Sequence, residues 1–151
     1  MNYSVSPMVL FLCTGNYYRS RFSEIYFNHL SRKHNYVWQA DSRGFRLNNE
    51  ENFGAMSPFA LSRLKNLKID VAQPQRYPKA LTAEDLERAG LIVALYDVEH
   101  RPWVIQNFPN WLEKIEYWQV PDVPLATPQA ALRLIEKQID KLFERLVLDK
   151  S

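Results

Sequence analysis

The stretch Val9-Leu10-Phe11-Leu12-Cys13-Thr14-Gly15-Asn16-Tyr17-Tyr18-Arg19-Ser20 constrains this chain more than any other. Its four apolar residues in a row predict a fully buried strand, and the residues after them read as a loop passing straight into a helix. A loop between the carboxyl end of a strand and the amino end of a helix turns its backbone N–H groups inward, and the helix dipole adds about half a positive charge. Such a place holds anions. The only cysteine of the chain stands at that junction. A thiol set there loses its proton more easily, because the same N–H groups stabilise the thiolate and a nearby arginine adds to the effect. Five residues separate Cys13 from Arg19, which lets the loop curl into a cradle with the sulfur at its floor and the guanidinium closing one side. A planar fork of donors suits the oxygens of a phosphoryl group. Gly15 is expected to take a turn that a Cβ would strain, and Asn16 to tolerate a left-handed conformation while its side chain ties the loop together. Ser20 is placed to donate a hydrogen bond to the sulfur. The plain alternative is an inert, buried cysteine at a strand end.

A buried strand, a loop containing Gly and Asn, an arginine, a serine and then a helix resemble the Cys-x5-Arg-Ser signature of the low-molecular-weight protein tyrosine phosphatases. The resemblance runs along nearly the whole chain. It takes in Ser42-Arg43-Gly44, Leu81-Thr82-Ala83-Glu84-Asp85, Tyr96-Asp97 and Pro121-Asp122. It implies a hydrogen-bond network of Asn16, Ser20 and Ser42, and a phosphate site made by Thr14, Gly15, Asn16, Tyr17, Tyr18 and Ser20. It also places Arg76 where the family often has a histidine, and Tyr18 where the family often has a second cysteine.

Length and charge narrow the class further. The 151 residues suit one domain with a single good core, and no linker is expected. Lys and Arg number 19 against 17 acidic residues, a net charge of +2, so no strong field draws the chain to nucleic acid or a membrane surface. A lone cysteine excludes an internal disulfide and a multi-cysteine zinc site, in keeping with a reducing cytoplasm. The first seven residues lack a basic head and a long apolar segment, so no secretion signal is expected, and Met8 to Leu12 is too short to span a bilayer.

Along the chain, Phe22, Ile25, Tyr26, His29 and Leu30 recur at helical spacing and predict a helix over 19–33. A second strand is expected over 36–42, ended by Arg43-Gly44. Residues 45–57 read as a polar rim loop, and Ser57-Pro58 starts a helix to about Leu67 that turns Phe59, Leu61 and Leu64 inward. A crossing with Pro74 and Pro78 follows, then Thr82 caps a short helix ending near Arg88. The run 90–96 is the most apolar and is expected to be the central strand. Trp103 to Trp111 resists assignment. Residues 115–120 predict a fourth, edge strand, and Thr127-Pro128 opens a long helix with a stripe of Ala131, Leu134, Ile135, Ile139, Leu142, Phe143 and Leu146. Strands separated by helices predict one three-layer α/β domain over 1–151. The expected architecture is a four-stranded parallel sheet of order 2-1-3-4 with helices on both faces, a flavodoxin-like topology. Ligands bind such sheets at the carboxyl ends of the strands, where Cys13 lies.

Displacing phosphate from an oxygen leaving group needs a nucleophile, a clamp for charged oxygens and a proton for the departing group. Cys13 and Arg19 supply the first two. For the acid, Val120-Pro121-Asp122-Val123-Pro124 is the best-placed loop, and its prolines would hold Asp122 in a fixed direction. The resembled family carries its acid in a Val-Pro-Asp-Pro sequence at that point; here the proline comes one residue later. A solvated turn aspartate is the alternative reading of Asp122, and Asp97 is the next carboxylate in line. Tyr17 and Tyr18 either line the mouth and stack on a phenyl ring or pack into the core. His29, His34 and His100 lack metal-ligand spacing, and no metal or cofactor is expected. The expected partner is a phosphotyrosine-bearing protein or a small aryl phosphate, met by a monomer or weak dimer. Together these readings describe a cysteine-dependent phosphatase that passes through a phosphocysteine intermediate. The rivals are an arsenate reductase using an external thiol and a phosphate-binding module without turnover.

Overall fold

The computed structural model describes residues 6–48, 52, 54–71, 73–122 and 125–149. Four parallel strands, β1 (Met8–Cys13), β2 (Gln39–Gly44), β3 (Leu91–Ala94) and β4 (Glu116–Tyr117), lie in the order β2-β1-β3-β4. This is the predicted order, with β1 and β3 sharing the centre. Residues 9–12 of β1 are fully buried and pair on both sides, Val9 to Cys13 with β2 and Val9 to Leu12 with β3. No residue of that run is polar, because neither face of β1 meets water.

Alternation along β1 divides the core in two. Val9, Phe11 and Cys13 face α1 (Arg19–Lys33), α2 (Pro58–Asn66) and α5 (Pro128–Asp149), among Phe22, Phe27, Leu64, Ile135 and Ile139. Leu10 and Leu12 face the opposite way, toward Leu86 of α3 (Ala83–Arg88) and Val104 of α4 (Asp97–Asn107). The helix α1 has the predicted bounds. The side chain of Ser57 accepts the Phe59 N–H at the start of α2, and Thr127 Oγ1 accepts the Ala130 N–H at the start of α5. Thr82 and Asp85 form a reciprocal capping box on α3.

Several expectations need correcting. The second strand begins at Gln39 and runs through Gly44, rather than ending before Arg43, because it stays paired to β1 as far as Cys13. Phe59 points outward at 58 % exposure, and Ala60 turns inward beside the expected Leu64. The fourth strand is only two residues long; beyond it, Trp118 and Val120 still donate to Ala94 and Leu95, so the chain tracks the end of β3. The unassigned stretch is α4 followed by a 3-10 turn over Pro109–Lys114. Pro102 inside α4 removes a helical donor and hides the pattern from a sequence reading.

Candidate active site

The carboxyl ends of β1 and β3 meet the amino end of α1, and the loop 14–18 between them is shaped by Asn16. Its φ of 51° is left-handed, a region that asparagine tolerates better than most residues. Asn16 thus takes the left-handed conformation expected of it, whereas Gly15 does not take a positive φ and a Cβ there would meet nothing within 4 Å, so the turn expected to require a glycine there does not. The glycine that sterics do require is Gly44. A Cβ on it would lie 2.8 Å from the Thr14 carbonyl oxygen and 3.0 Å from the Asn16 nitrogen, against backbone that cannot swing aside.

All four polar sites of the Asn16 amide are used. Nδ2 donates to Ser20 Oγ at 2.9 Å and to Ser42 Oγ at 2.8 Å, while Oδ1 accepts from Arg76 Nη1 at 2.7 Å and from the Lys79 N–H at 2.9 Å. Ser20 Oγ accepts from Asn16 and lies 2.9 Å from Cys13 Sγ, so its proton is available to a Cys13 thiolate. Ser42 Oγ passes its proton to Glu24 Oε1 at 2.6 Å. Arg76 therefore joins the network of Asn16, Ser20 and Ser42 and ties it to the Ser42 carbonyl and Asp41. Cys13, Asn16, Ser20 and Ser42 are all buried.

Across the cradle, Arg19 is buried at the first turn of α1, and no acidic side chain occupies that turn. Its Nη1 donates to the Val120 carbonyl at 3.0 Å, and Nη2 to Glu99 Oε2 at 2.8 Å, with Asp122 Oδ2 at 3.5 Å. The loop carrying Asp122 thus arrives from β4 and lies against the guanidinium. Val123 and Pro124, expected to stiffen it, fall outside the described residues. Asp97 does not take part; it forms a two-pronged pair with Arg101, at 2.6 and 3.2 Å.

Glu99 is the second carboxylate at Arg19, and its Oε2 accepts from Thr14 Oγ1, Arg19 Nη2 and His100 Nε2. Burial alone would raise its pKa, but the His100 hydrogen bond, the Arg19 charge and the Thr14 hydroxyl together hold it well below the usual carboxylate range. His100 is fully buried, and its Nδ1 accepts the Tyr96 N–H, so the neutral ring carries its proton on Nε2, facing Glu99 at 3.1 Å. Burial keeps that imidazole below its ordinary pKa against the pull of Glu99. The contact of His100 with the site was not legible in the sequence. The two sit in the first turn of α4, and nothing local marks them as neighbours of Arg19.

A cavity of about 170 Å³ opens above the sulfur, lined by Thr14, Gly15, Tyr17, Tyr18, Arg46 and Asp122 among others. Both tyrosines therefore line the mouth. Tyr18 also packs against the core and donates from its hydroxyl to the Pro128 carbonyl at 3.2 Å, joining the cradle to the start of α5. Burial and the Asp122 charge push that hydroxyl up to about 12, opposed by Arg19. Among the described residues, no group of three or more His, Cys, Asp or Glu side chains is arranged to hold a metal ion.

A single thiol at the floor of a strand-loop-helix cradle, with a buried arginine over it and carboxylates beside the arginine, defines a cysteine-dependent phosphatase. The family model for low-molecular-weight phosphotyrosine protein phosphatases matches residues 8–151, and the chain belongs to that family. Its members act on phosphoproteins or other phosphate substrates through a phosphocysteine intermediate. The low-molecular-weight protein tyrosine phosphatase of T. tengcongensis is 31 % identical, with 91 % of this chain and 98 % of that one aligned at a TM-score of 0.77. YfkJ of Bacillus subtilis is 18 % identical and superposes over 99 % of this chain and all of its own at a TM-score of 0.83. YwlE arginine phosphatase of Geobacillus stearothermophilus shares the fold at 22 % identity, 95 % and 94 % coverage and a TM-score of 0.75. No curated protein matches the chain in sequence.

Proposed function

We propose that this chain hydrolyses phosphotyrosine in proteins, or small aryl phosphates, with Cys13 as nucleophile, Arg19 as clamp and Asp122 as general acid. The observation that carries the reading is the buried Cys13–Ser20 contact of 2.9 Å beneath a guanidinium already fixed by Val120 and Glu99. The thiolate attacks phosphorus, the bond to the phenolic oxygen breaks, and Asp122 gives that oxygen its proton. Water then attacks the phosphocysteine with Asp122 as base, releasing phosphate and the thiolate. The inward N–H groups of residues 14–18 and the Arg19 fork hold the three equatorial oxygens. Arg19 meets them by releasing its longest contact, the one to Asp122, and that carboxyl turns to the leaving group. Ser20 steadies the thiolate, and Asn16 and Ser42 steady Ser20. Glu99 holds Arg19, His100 holds Glu99, and neither touches the substrate.

No metal or cofactor enters these steps. One domain over 1–151 carries the activity, in the cytoplasm and as a monomer or weak dimer, without nucleic acid or membrane as partner. Among the described residues no helix is long and apolar enough to cross a membrane. An arsenate reductase would need a further thiol to resolve its arsenic-cysteine adduct, and Cys13 is the only cysteine of the chain. Because a neighbour with the same fold is an arginine phosphatase, phosphoarginine belongs in the assay as a competing substrate.

The test is turnover of p-nitrophenyl phosphate, phosphotyrosine and phosphoarginine, with and without a chelator, by the chain and by Cys13→Ser. Chelator-resistant turnover preferring the aryl esters, abolished in Cys13→Ser while vanadate still binds, is the expected result. Full activity of Cys13→Ser would overturn the assignment.

A further inference from the structure

Two guanidiniums border the cavity, and they differ in what they face. Arg19 has Glu99 at 2.8 Å and Asp122 at 3.5 Å, so its charge is more than matched before any substrate arrives. Arg46 is exposed, and no ion pair or side-chain hydrogen bond is recorded for it among the described residues. Its position is nevertheless fixed. Beyond the end of β2 the chain stays paired to the cradle, the Phe45 N–H donating to the Cys13 carbonyl at 3.0 Å and the Arg46 N–H to the Thr14 carbonyl at 2.8 Å. The Arg46 backbone therefore moves with the loop, while its charged end stands at the mouth.

Depth assigns it a task. Cys13 is 2 % exposed at the floor, so a phosphoryl group there puts the attached ring inside the cavity and the peptide that carries the ring at the rim, beside Arg46. A cation at the rim, next to a centre whose own arginine is neutralised, favours an anionic group near the phosphorylated residue. We propose that Arg46 is a specificity-determining residue that selects phosphotyrosine peptides bearing Asp or Glu beside the phosphotyrosine. This rests on the phosphotyrosine reading above and deepens it.

The test uses three phosphotyrosine peptides identical except for Glu, Ala or Lys flanking the phosphotyrosine, with p-nitrophenyl phosphate alongside. The wild type should prefer the Glu peptide over the Lys peptide in kcat/KM by roughly two- to fivefold, the scale of one exposed ion pair, and the ratio should shrink in high salt. Arg46→Gln should flatten the ratio and Arg46→Glu should invert it. An unchanged ratio in Arg46→Glu, or no charge preference in a wild type that hydrolyses the peptides, overturns this inference and leaves the phosphatase reading standing. A wild type that hydrolyses neither peptide nor p-nitrophenyl phosphate overturns the phosphatase reading itself, and this inference with it.

Discussion

The two sides of the cradle are built on different plans. On the Cys13 side, both polar atoms of the Asn16 side chain are fully paired, its partners Ser20 and Ser42 are buried, and Gly44 packs against the loop without room for a methyl group. On the Arg19 side, two carboxylates share one guanidinium nitrogen, one of them held at 2.8 Å and the other, on a 44 % exposed side chain, at 3.5 Å. The first side is satisfied by itself and has one arrangement. The second has a contact to exchange. A nucleophile benefits from being held still, because a misplacement of about 1 Å costs on the order of a hundredfold in rate. In the proposed roles, an arginine that takes up phosphoryl oxygens and a carboxyl that hands over a proton need partners that they can leave.

The comparison breaks most sharply at Asp122. If Asp122 is the acid, Asp122→Ala should slow phenyl phosphate by about a hundredfold or more, the usual scale of general acid catalysis. The same variant should slow p-nitrophenyl phosphate much less, since its phenolate leaves unaided. Equal losses in kcat on the two esters would take the acid role from Asp122 and leave it a partner of Arg19.

The rigid side is tested by Gly44→Ala. The added methyl must push the backbone at Thr14 or Asn16, so kcat is expected to fall by roughly ten- to a hundredfold, with a stability loss of about 1–3 kcal/mol in urea. The loss should be the same for phenyl and p-nitrophenyl phosphate, in contrast to Asp122→Ala, because it displaces the Cys13 sulfur rather than the proposed proton donor. Wild-type rate and stability would show that the loop yields and that this side is not the stiff one.

The smallest effect is expected at Glu99. Its folded pKa lies below the unfolded value near 4.5, so the ionised carboxylate contributes stability above that pH, and the contribution is lost as pH falls below it. Glu99→Gln removes the charge and keeps an acceptor for Arg19. The variant should be less stable than wild type by about 1 kcal/mol at pH 7, the order of one charged hydrogen bond, and the gap should close as the pH drops below about 4.5. A gap independent of pH would mean that the amide disturbs packing and that the charge of Glu99 is not what holds Arg19.

Much of this protein was determined by sequence alone, and the reason is that its signals there are local. Val9 to Leu12 are apolar without a break, so β1 lies between two layers, and the alternation with helices leaves a parallel sheet as the outcome. The stripe from Ala131 to Phe143 and the caps at Ser57, Thr82 and Thr127 are read within a few residues of chain, and each falls where the structure has it. Cys13, Arg19 and Ser20 share one turn of loop and helix, so their meeting needed only short-range geometry. Beyond Ser42 and Asp122, which distant groups answer them was decided by tertiary structure alone. Glu99 and His100 reach Arg19 and Thr14 because β3 lies beside β1 and α4 starts at its end, a separation of some eighty residues that no spacing rule encodes. Arg76 meets Asn16 across a turn-rich crossing, and the four partners of the Asn16 amide, in its expected left-handed position, come together only once the sheet is assembled. Periodicity records which face of an element is buried. It does not record what that face is buried against, and the polar half of this site is made of those contacts.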